Sequence, residues 1–207
     1  MGRPEKKRSG RYTYADYASW PEGERWELVD GIPYAMTPSP STRHQRISLG
    51  LASELRKCLE GKQCEVLAAP MDVKLSEEDV VQPDAFVYCH PEQDKSDYVE
   101  GAPVVVVEVV SPTSGVHDRM RKLHLYARYG VKEYWIVSPE DQLVEVLVLA
   151  DGVYSVADVF GRDDELASTQ LPDVTIDLSC IFTDPPPPDQ VKEGVPPYGR
   201  AVVDAPQ

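Results

Sequence analysis

The stretch Val104-Val105-Val106-Val107-Glu108-Val109-Val110 decides the fold of this chain. It is apolar on both faces, which is typical of a central strand covered on both sides, so we predict a strand over Pro103 to Val110. Ser111-Pro112 follows, and then a helical pattern over about 115–129 with the inward stripe Val116, Met120, Leu123 and Ala127. Gly130 ends that helix, and Glu133 to Val137 is predicted as the next strand. A strand, a helix and a strand of this length predict a right-handed crossover between parallel strands.

The sequence on either side of this unit predicts a mixed sheet. Trp26 to Met36 reads as two short strands around an Asp30-Gly31 turn, a strong hairpin signal. Ser41 or Thr42 caps a predicted helix with apolar residues at every fourth position, closed by Gly61. The further predicted strands are 65–75, 81–88, 144–149, 153–159 and 174–177. This order indicates an α/β or α+β fold, in which helices flank a mixed central β-sheet.

Length and composition indicate one folded domain between two tails. The 207 residues are 42% hydrophobic and 27% charged, which excludes collagen-like, coiled-coil and wholly disordered classes. We predict the domain over residues 12–183, a basic tail over 1–11 and a Pro-rich tail over 184–207. No apolar run is long enough for a membrane span, and the N-terminus lacks the apolar stretch of a secretory signal. We therefore expect a cytoplasmic protein that does not engage a membrane.

The four cysteines form no recognisable framework. Cys58, Cys64, Cys89 and Cys180 include no C-x-x-C pair, so their spacing suggests neither a zinc site nor disulfides. We expect all four to be small buried hydrophobic residues.

The net charge of −14 argues against nonspecific duplex binding by overall charge, because such binding relies on Lys and Arg. A local basic groove remains compatible with it, since the distribution of charge matters more than the sum. Segment 115–132 carries five basic residues and one acidic residue, Asp118. An acidic chain thus places a cationic helix directly after its central strand.

Two carboxylates stand out. Glu108 is the only polar side chain in the apolar run, and a buried carboxylate needs a partner or a proton. Its partner is either a functional group or an ordinary Arg or Lys in a salt bridge. Asp84 follows Pro83 at a predicted strand start or bulge, where its side chain is re-aimed; alternatively it caps a turn.

The cationic helix offers a third candidate, Lys122. Asp118, Lys122 and Tyr126 are spaced i, i+4, i+8 and share one face. The plain interpretation is an exposed Asp118–Lys122 pair, with Tyr126 as a packing residue. The position of the helix, directly after the strand that carries Glu108, favours a functional role for Lys122.

Five blocks in this order resemble the Uma2 family (DUF820). They are Trp26-Glu27-Leu28-Val29-Asp30-Gly31, His44 at a helix start, Pro83-Asp84, Val107-Glu108-Val109-Val110-Ser111-Pro112, and Asp118 to Ala127. That family is similar to the PD-(D/E)XK nucleases and is grouped with restriction endonucleases. The resemblance covers about residues 12–183 and implies a restriction-endonuclease-like core.

The resemblance also implies the parts of a nuclease site. Asp84 matches the Pro-Asp motif and Glu108 the acidic residue of E-x-K, where Val110 stands at the usual Lys position. Lys122 is implied to replace that lysine from the following helix. Glu27 resembles an additional N-terminal acidic residue of the family. His44 resembles its helix-start histidine, which is a base, a phosphate contact or an ordinary surface residue.

The implied chemistry is metal-dependent hydrolysis of DNA. Mg²⁺, or Mn²⁺ in its place, prefers oxygen ligands and needs only one or two carboxylates, here Asp84 and Glu108, with the Val109 carbonyl implied as a further ligand. A homodimer is expected, because cutting both strands of a duplex is easiest with two sites related by a two-fold axis. The competing hypothesis is a non-catalytic member of the same fold that binds nucleic acid or protein. Val110 and the net charge favour that alternative.

Overall fold

A computed structural model of the chain describes residues 10–21, 25–36, 40–110 and 116–183, with side chains from residue 119 onward in the last range. The predicted tails lie outside the described residues, apart from residues 10 and 11. The described α-helices are α1 (Tyr14–Tyr17), α2 (Thr42–Cys58) and α3 (Val116–Tyr129). The described strands are β1 (Trp26–Val29), β2 (Ile32–Ala35), β3 (Glu65–Ala68), β4 (Asp72–Lys74), β5 (Val80–Val81), β6 (Ala85–Tyr88), β7 (Tyr98–Glu100), β8 (Val105–Val109), β9 (Glu133–Ser138), β10 (Leu143–Ala150), β11 (Val153–Gly161), β12 (Glu165–Ala167) and β13 (Thr175–Asp177).

The central sheet is mixed, as predicted. Its order is β11-β10-β9-β8-β6-β3, and β8 and β9 are parallel while the other pairs are antiparallel. Alternating residues of β8 enter two different cores, Val105 and Val107 with α2 residues and Val106 with α3 residues. The prediction of a central strand covered on both faces is confirmed, and α3 makes the connection between the two parallel strands.

A second sheet, which the sequence did not predict, has the order β2-β1-β5-β4-β7. The prediction of continuous strands over 65–75 and 81–88 is wrong, because each segment is divided between the two sheets. Segment 65–75 passes from the central sheet to this one, and segment 81–88 passes from this one back to the central sheet. Pro70 and Pro83 lie at the two breaks, where a residue without an N–H cannot continue a ladder. The chain therefore crosses between the sheets beside Asp84.

The predicted hairpin and first helix are confirmed. Asp30 and Gly31 both have positive φ, 51° and 69°, as a tight hairpin turn between β1 and β2 requires. The Ser41 side chain caps α2 by accepting a hydrogen bond from the His44 main-chain N–H at 3.2 Å. His44 is thereby fixed in the first turn of the helix.

The predicted inward stripe of α3 is wrong in part. Met120 is 45% exposed, whereas Lys122, Leu125 and Tyr126 are buried. Val116 lies among the residues whose side chains are not described. The helix is rotated so that its lysine points inward, which a rule based only on apolar spacing cannot anticipate, because it counts Lys as a surface residue.

Cysteine pairing also differs from expectation. Cys64 and Cys89 form a disulfide, Cys58 is partly buried and Cys180 is exposed. Glu65 and Tyr88 are paired across β3 and β6, so the two cysteines at the ends of these strands face each other. Strand register, which spacing along the sequence does not reveal, brings them together.

Within the described ranges, no helix is both long and apolar enough to cross a membrane.

Candidate active site

Asp84 directly precedes β6, which is antiparallel to the strand β8 that carries Glu108. Ala85 of β6 pairs with Val107 of β8, and continuing this register by one residue places Asp84 opposite Glu108. Asp84 Oδ2 accepts a hydrogen bond from the Val109 main-chain N–H at 2.7 Å. Pro83 ends the preceding pairing, so the Asp84 side chain is free to turn toward β8 instead of extending the strand.

Glu108 is buried beside a cation and a phenol. Lys122 Nζ lies 2.9 Å from Glu108 Oε1, and the Tyr126 hydroxyl donates to the same oxygen at 2.7 Å. Burial raises the pKa of Glu108 to about 7 against the opposing effect of Lys122, and the negative charges of Asp84 and Glu27 add to the rise. The expectation that this carboxylate has a specific partner is borne out by the contacts, and the partner is Lys122.

Lys122 bridges two carboxylates. Its Nζ is 2.9 Å from Glu27 Oε1 as well as from Glu108 Oε1, and all three side chains are nearly inaccessible to solvent. Glu27 thus pairs with Lys122 and not with its strand neighbour Arg25, whose guanidinium donates to Gln82. The plain alternative, an exposed pair with Asp118 on the helix surface, does not apply to Lys122, because the residue is 6% exposed.

α3 is held at both ends by ion pairs. Arg119 near its start pairs with Glu145 of β10, and Arg128 in its last turn pairs with Asp30 at 2.7 Å and with Asp79 at 3.0 Å. These contacts fix the helix against the central sheet on one side and against the β1–β2 turn on the other. Lys122 lies between them and is therefore directed toward Glu108.

His44 approaches from α2. Its Nε2 lies 3.3 Å from Asp84 Oδ2. The hydrogen bond with Asp84 raises the pKa of His44, and burial opposes that rise. His44 is therefore not an ordinary surface residue at a helix start, since its side chain is 14% exposed and contacts a predicted metal ligand.

All five predicted side chains and Val109 thus lie in two contact groups, which meet in β8 where Glu108 and Val109 are neighbours. Contacts run from His44 through Asp84 to the Val109 main chain, and from Glu27 through Lys122 to Glu108. Val110, at the usual lysine position, packs against the core beneath α3 instead.

The oxygen donors suit a hard divalent cation. The described hydrogen bonds use Oδ2 of Asp84 and Oε1 of Glu108, which leaves the second oxygen of each carboxylate for a ligand. Mg²⁺ keeps several waters and takes one or two carboxylates, so two acidic residues and a main-chain carbonyl are a sufficient set. Among the described residues, no group of three or more His, Cys, Asp or Glu side chains is arranged to hold a metal ion by itself.

Sequence reasoning missed two residues of this cluster. Tyr126 was expected only to pack, but its hydroxyl donates to Glu108. Its i+4 spacing from Lys122 on one helix face was the available signal. Gln82, whose main-chain N–H donates to Glu27 at 3.2 Å, gave no signal beyond its place before Pro83-Asp84.

Comparison with known proteins gives consistent results. The family model Uma2, described as "Putative restriction endonuclease", matches residues 14–179. An uncharacterized protein of Synechocystis sp. (strain ATCC 27184 / PCC 6803 / Kazusa) is 33% identical over 127 residues, which are 59% of this chain and 66% of that protein. The chain thus spans just under two thirds of that relative's length.

A solved structure has the same fold. It is described as a "putative nuclease belonging to DUF820" from Anabaena variabilis ATCC 29413, with a TM-score of 0.67 and 16% identity. The similarity covers 82% of this chain and 97% of the other. At this level of identity the likeness establishes the restriction-endonuclease-like fold that the resemblance implied.

Proposed function

The chain belongs to the Uma2 family, and we propose that it is a metal-dependent endonuclease that hydrolyses DNA phosphodiester bonds. The observation that carries this proposal is the 2.9 Å contact of Lys122 with Glu108. Lys122 thereby offers, from α3, an ammonium group in place of the lysine that is missing at position 110. Asp84, directly before the adjacent strand β6, completes the pair of carboxylates.

Asp84, Glu108 and the Val109 carbonyl are the proposed ligands of Mg²⁺, with Mn²⁺ as the alternative ion. A bound divalent ion supplies a water of lowered pKa and offsets the charge that develops on the phosphate. The hydrogen bond from Val109 to Asp84 holds one carboxylate in place, and Lys122 and Tyr126 hold the other.

Lys122 has the central role among the protein groups. Its ammonium lies beside the proposed ligand Glu108 and is aimed to orient the attacking water or to stabilise charge on the phosphate. Glu27, on the far side of Lys122, fixes the position of the ammonium. His44 hydrogen-bonds Asp84 and directs that carboxylate; it also lies at the N-terminus of α2, where main-chain amides favour an anionic phosphate.

Duplex DNA is the proposed substrate and a homodimer the proposed assembly, because two sites related by a two-fold axis cut both strands. Sedimentation velocity of the full chain at tens of micromolar tests the assembly. A dimer supports it, and a monomer alone at all concentrations contradicts it.

The activity is tested with supercoiled plasmid and single-stranded DNA in Mg²⁺ and in Mn²⁺. Wild type is compared with Asp84→Asn, Glu108→Ala and Lys122→Ala, all purified identically. Asp151→Asn and Lys57→Ala are matched controls, since both residues are exposed. Cleavage by wild type and the controls, lost in the three site variants, supports the proposal.

If cleavage is lost in Glu108→Ala but not in Lys122→Ala, the ammonium group on α3 does not replace the missing lysine. Absence of cleavage by wild type, together with absence of Mn²⁺ binding at millimolar concentration, would contradict the nuclease function. Metal-independent DNA binding would then favour the non-catalytic alternative.

A further inference from the structure

Gln82 occupies the crossing between the two sheets. It follows β5 of the five-stranded sheet, and after Pro83 and Asp84 the chain enters β6 of the central sheet. The residue is 8% exposed, an unusual degree of burial for a glutamine. Nothing in the proposed chemistry uses it directly.

The side-chain amide of Gln82 is fully engaged. Its Oε1 accepts hydrogen bonds from Arg25 Nε at 3.0 Å and Nη2 at 2.9 Å. Its Nε2 donates to Asp72 Oδ1 at 2.8 Å and to the Tyr17 hydroxyl at 3.2 Å, and Tyr17 donates in turn to Asp72. Every donor meets an acceptor, so the orientation of the amide is fixed by its neighbours.

Three separate elements hold this amide. Tyr17 belongs to α1 and Asp72 to β4, and Arg25 directly precedes β1. A side chain held from three directions has one conformation, and the main chain at position 82 is fixed with it.

The main-chain N–H of Gln82 points into the candidate site. It donates to Glu27 Oε1 at 3.2 Å, and this is the oxygen that also contacts Lys122. Arg25 and Glu27 are two residues apart along the chain, so their side chains lie on the same side of it. The side chain of Gln82 binds Arg25, and its main-chain N–H binds Glu27. The next residue but one is Asp84.

We propose that Gln82 is a positioning residue of the candidate site: its clamped amide fixes the segment that carries Asp84 and aims a main-chain N–H at Glu27. Gln82 thereby joins the two halves of the site, because Glu27 lies in the five-stranded sheet and Asp84 beside the central one. The kinetic part of this inference rests on the proposed nuclease function.

The first test removes the amide and keeps the volume, with Gln82→Met. We expect kcat for plasmid cleavage to fall about tenfold or more, because small displacements of catalytic groups are costly, while KM for DNA changes less than about twofold. Gln93→Leu is the matched control: its amide donates to the main-chain carbonyls of Glu100 and Ala102, beside β7 and away from the candidate site. An equal loss of thermal stability in both variants with unchanged kcat in Gln82→Met would overturn the proposal.

The second test exchanges donor and acceptor. Gln82→Glu keeps the acceptor for Arg25 but sets a carboxylate against Asp72, so kcat is expected to fall. Adding Asp72→Asn restores a donor–acceptor pair at the same place, and we expect recovery of at least half of the lost kcat. Failure of the double variant to recover, in a protein that melts like wild type, would contradict a positioning role.

A third measurement does not require activity. If wild type cleaves nothing, the proposed function fails, and Gln82 is then judged from urea unfolding of Gln82→Met, Glu27→Gln and their double variant. Coupled residues give a shift of the unfolding midpoint smaller than the sum of the single shifts. Additive shifts, as expected for Gln93→Leu combined with Glu27→Gln, would refute the link to Glu27.

Discussion

At the scale of single residues, the candidate site is governed by one buried cation between two buried carboxylates. Glu27 and Glu108 each place an oxygen 2.9 Å from Lys122 Nζ. Such a triad stabilises little by itself, since desolvation offsets most of the attraction. Removing one member costs more, because the others are left charged and buried.

Lys122→Met is therefore expected to lower the free energy of unfolding by roughly 3–5 kcal/mol at pH 8. The loss should be smaller at pH 5, because burial raises the pKa of Glu108 and this carboxylate takes up a proton there. Urea unfolding at the two pH values measures this. Lys57→Met is the control, since its partner Glu54 lies three residues away on an exposed helix surface, and its unfolding midpoint should match wild type. Equal losses at both pH values would contradict the buried-triad account.

The raised pKa of Glu108 makes a second prediction at this scale. Its pKa is about 7 in the folded protein and 4.5 in the unfolded reference, so the folded state binds the proton more tightly. This contribution is complete below pH 4.5 and is lost as pH rises to about 7, a change of up to about 3 kcal/mol. Glu108→Gln cannot titrate and should remove it.

The measurement is the slope of unfolding free energy against pH between 4.5 and 8 for wild type and Glu108→Gln, without divalent metal. The wild type should lose stability over this range relative to the variant. The pKa of His44 is also raised, and the charge of Glu108 is one of the causes, so the contribution of His44 has the same sign in both proteins but is smaller in the variant. If the unfolding free energies of wild type and Glu108→Gln change with pH in parallel, Glu108 stays ionised over the whole pH range.

At the scale of elements, prediction succeeded where a short stretch determines its own structure. The Asp30-Gly31 turn and the valine run of β8 carry strong local signals, and both elements form at those residues. The splitting of 65–75 and 81–88 into strands of different sheets was not predictable from alternation, because both halves of each segment are equally β-prone. Only the positions of Pro70 and Pro83 indicated that these segments are split.

The rotation of α3 shows the same limit. Apolar spacing gave the bounds of the helix nearly correctly, but Lys122 turned inward in place of Met120. The buried carboxylates Glu27 and Glu108 determine this rotation, and both come from strands distant in sequence. A site residue is thus recognised by the residues that it contacts in the folded protein. A single sequence indicates those contacts only where it resembles a known family.

β9 offers a prediction about an element outside the site. Glu133, at its first position, is fully buried, and its Oε2 accepts hydrogen bonds from the main chain of Thr169 and Gln170 and from the hydroxyls of Ser168 and Thr169. The indole of Trp135 donates to the other oxygen. The carboxylate therefore joins β9 to the turn that connects β12 and β13.

Glu133→Gln should lower the free energy of unfolding by about 2–3 kcal/mol, because the amide NH₂ faces the Trp135 indole N–H in one orientation and the main-chain N–H groups of Thr169 and Gln170 in the other. Hydrogen exchange should accelerate in residues 165–177, with little change in β1. Asp173→Asn is the control, since Asp173 makes an exposed ion pair with Lys62. Unchanged exchange in 165–177 would show that the β12–β13 hairpin does not depend on Glu133.

At the scale of the whole molecule, the candidate site lies where the two sheets meet. Glu27 comes from the five-stranded sheet, Glu108 from the central sheet and Lys122 from the helix that follows it. The family resemblance identified all these residues, but the existence of the second sheet came only from the three-dimensional arrangement. Any change that shifts one sheet against the other should therefore act on the site.

The Cys64–Cys89 disulfide tests this molecule-wide view. It closes a loop with a sequence separation of 25 that contains β4, β5 and Asp84, and so spans both sheets. Reduction, or Cys64→Ser with Cys89→Ser, should lower the free energy of unfolding by about 3 kcal/mol through the freed loop entropy.

Differential scanning calorimetry with and without dithiothreitol measures the loss, and mass spectrometry after alkylation verifies that two thiols are released. Cys58→Ser with Cys180→Ser is the control, because both of these thiols are free and the variant should keep the dithiothreitol effect in full. If reduction leaves the melting temperature of wild type unchanged although two thiols are alkylated, the strand register alone holds β3 against β6, and the loop that carries Asp84 does not depend on the covalent link.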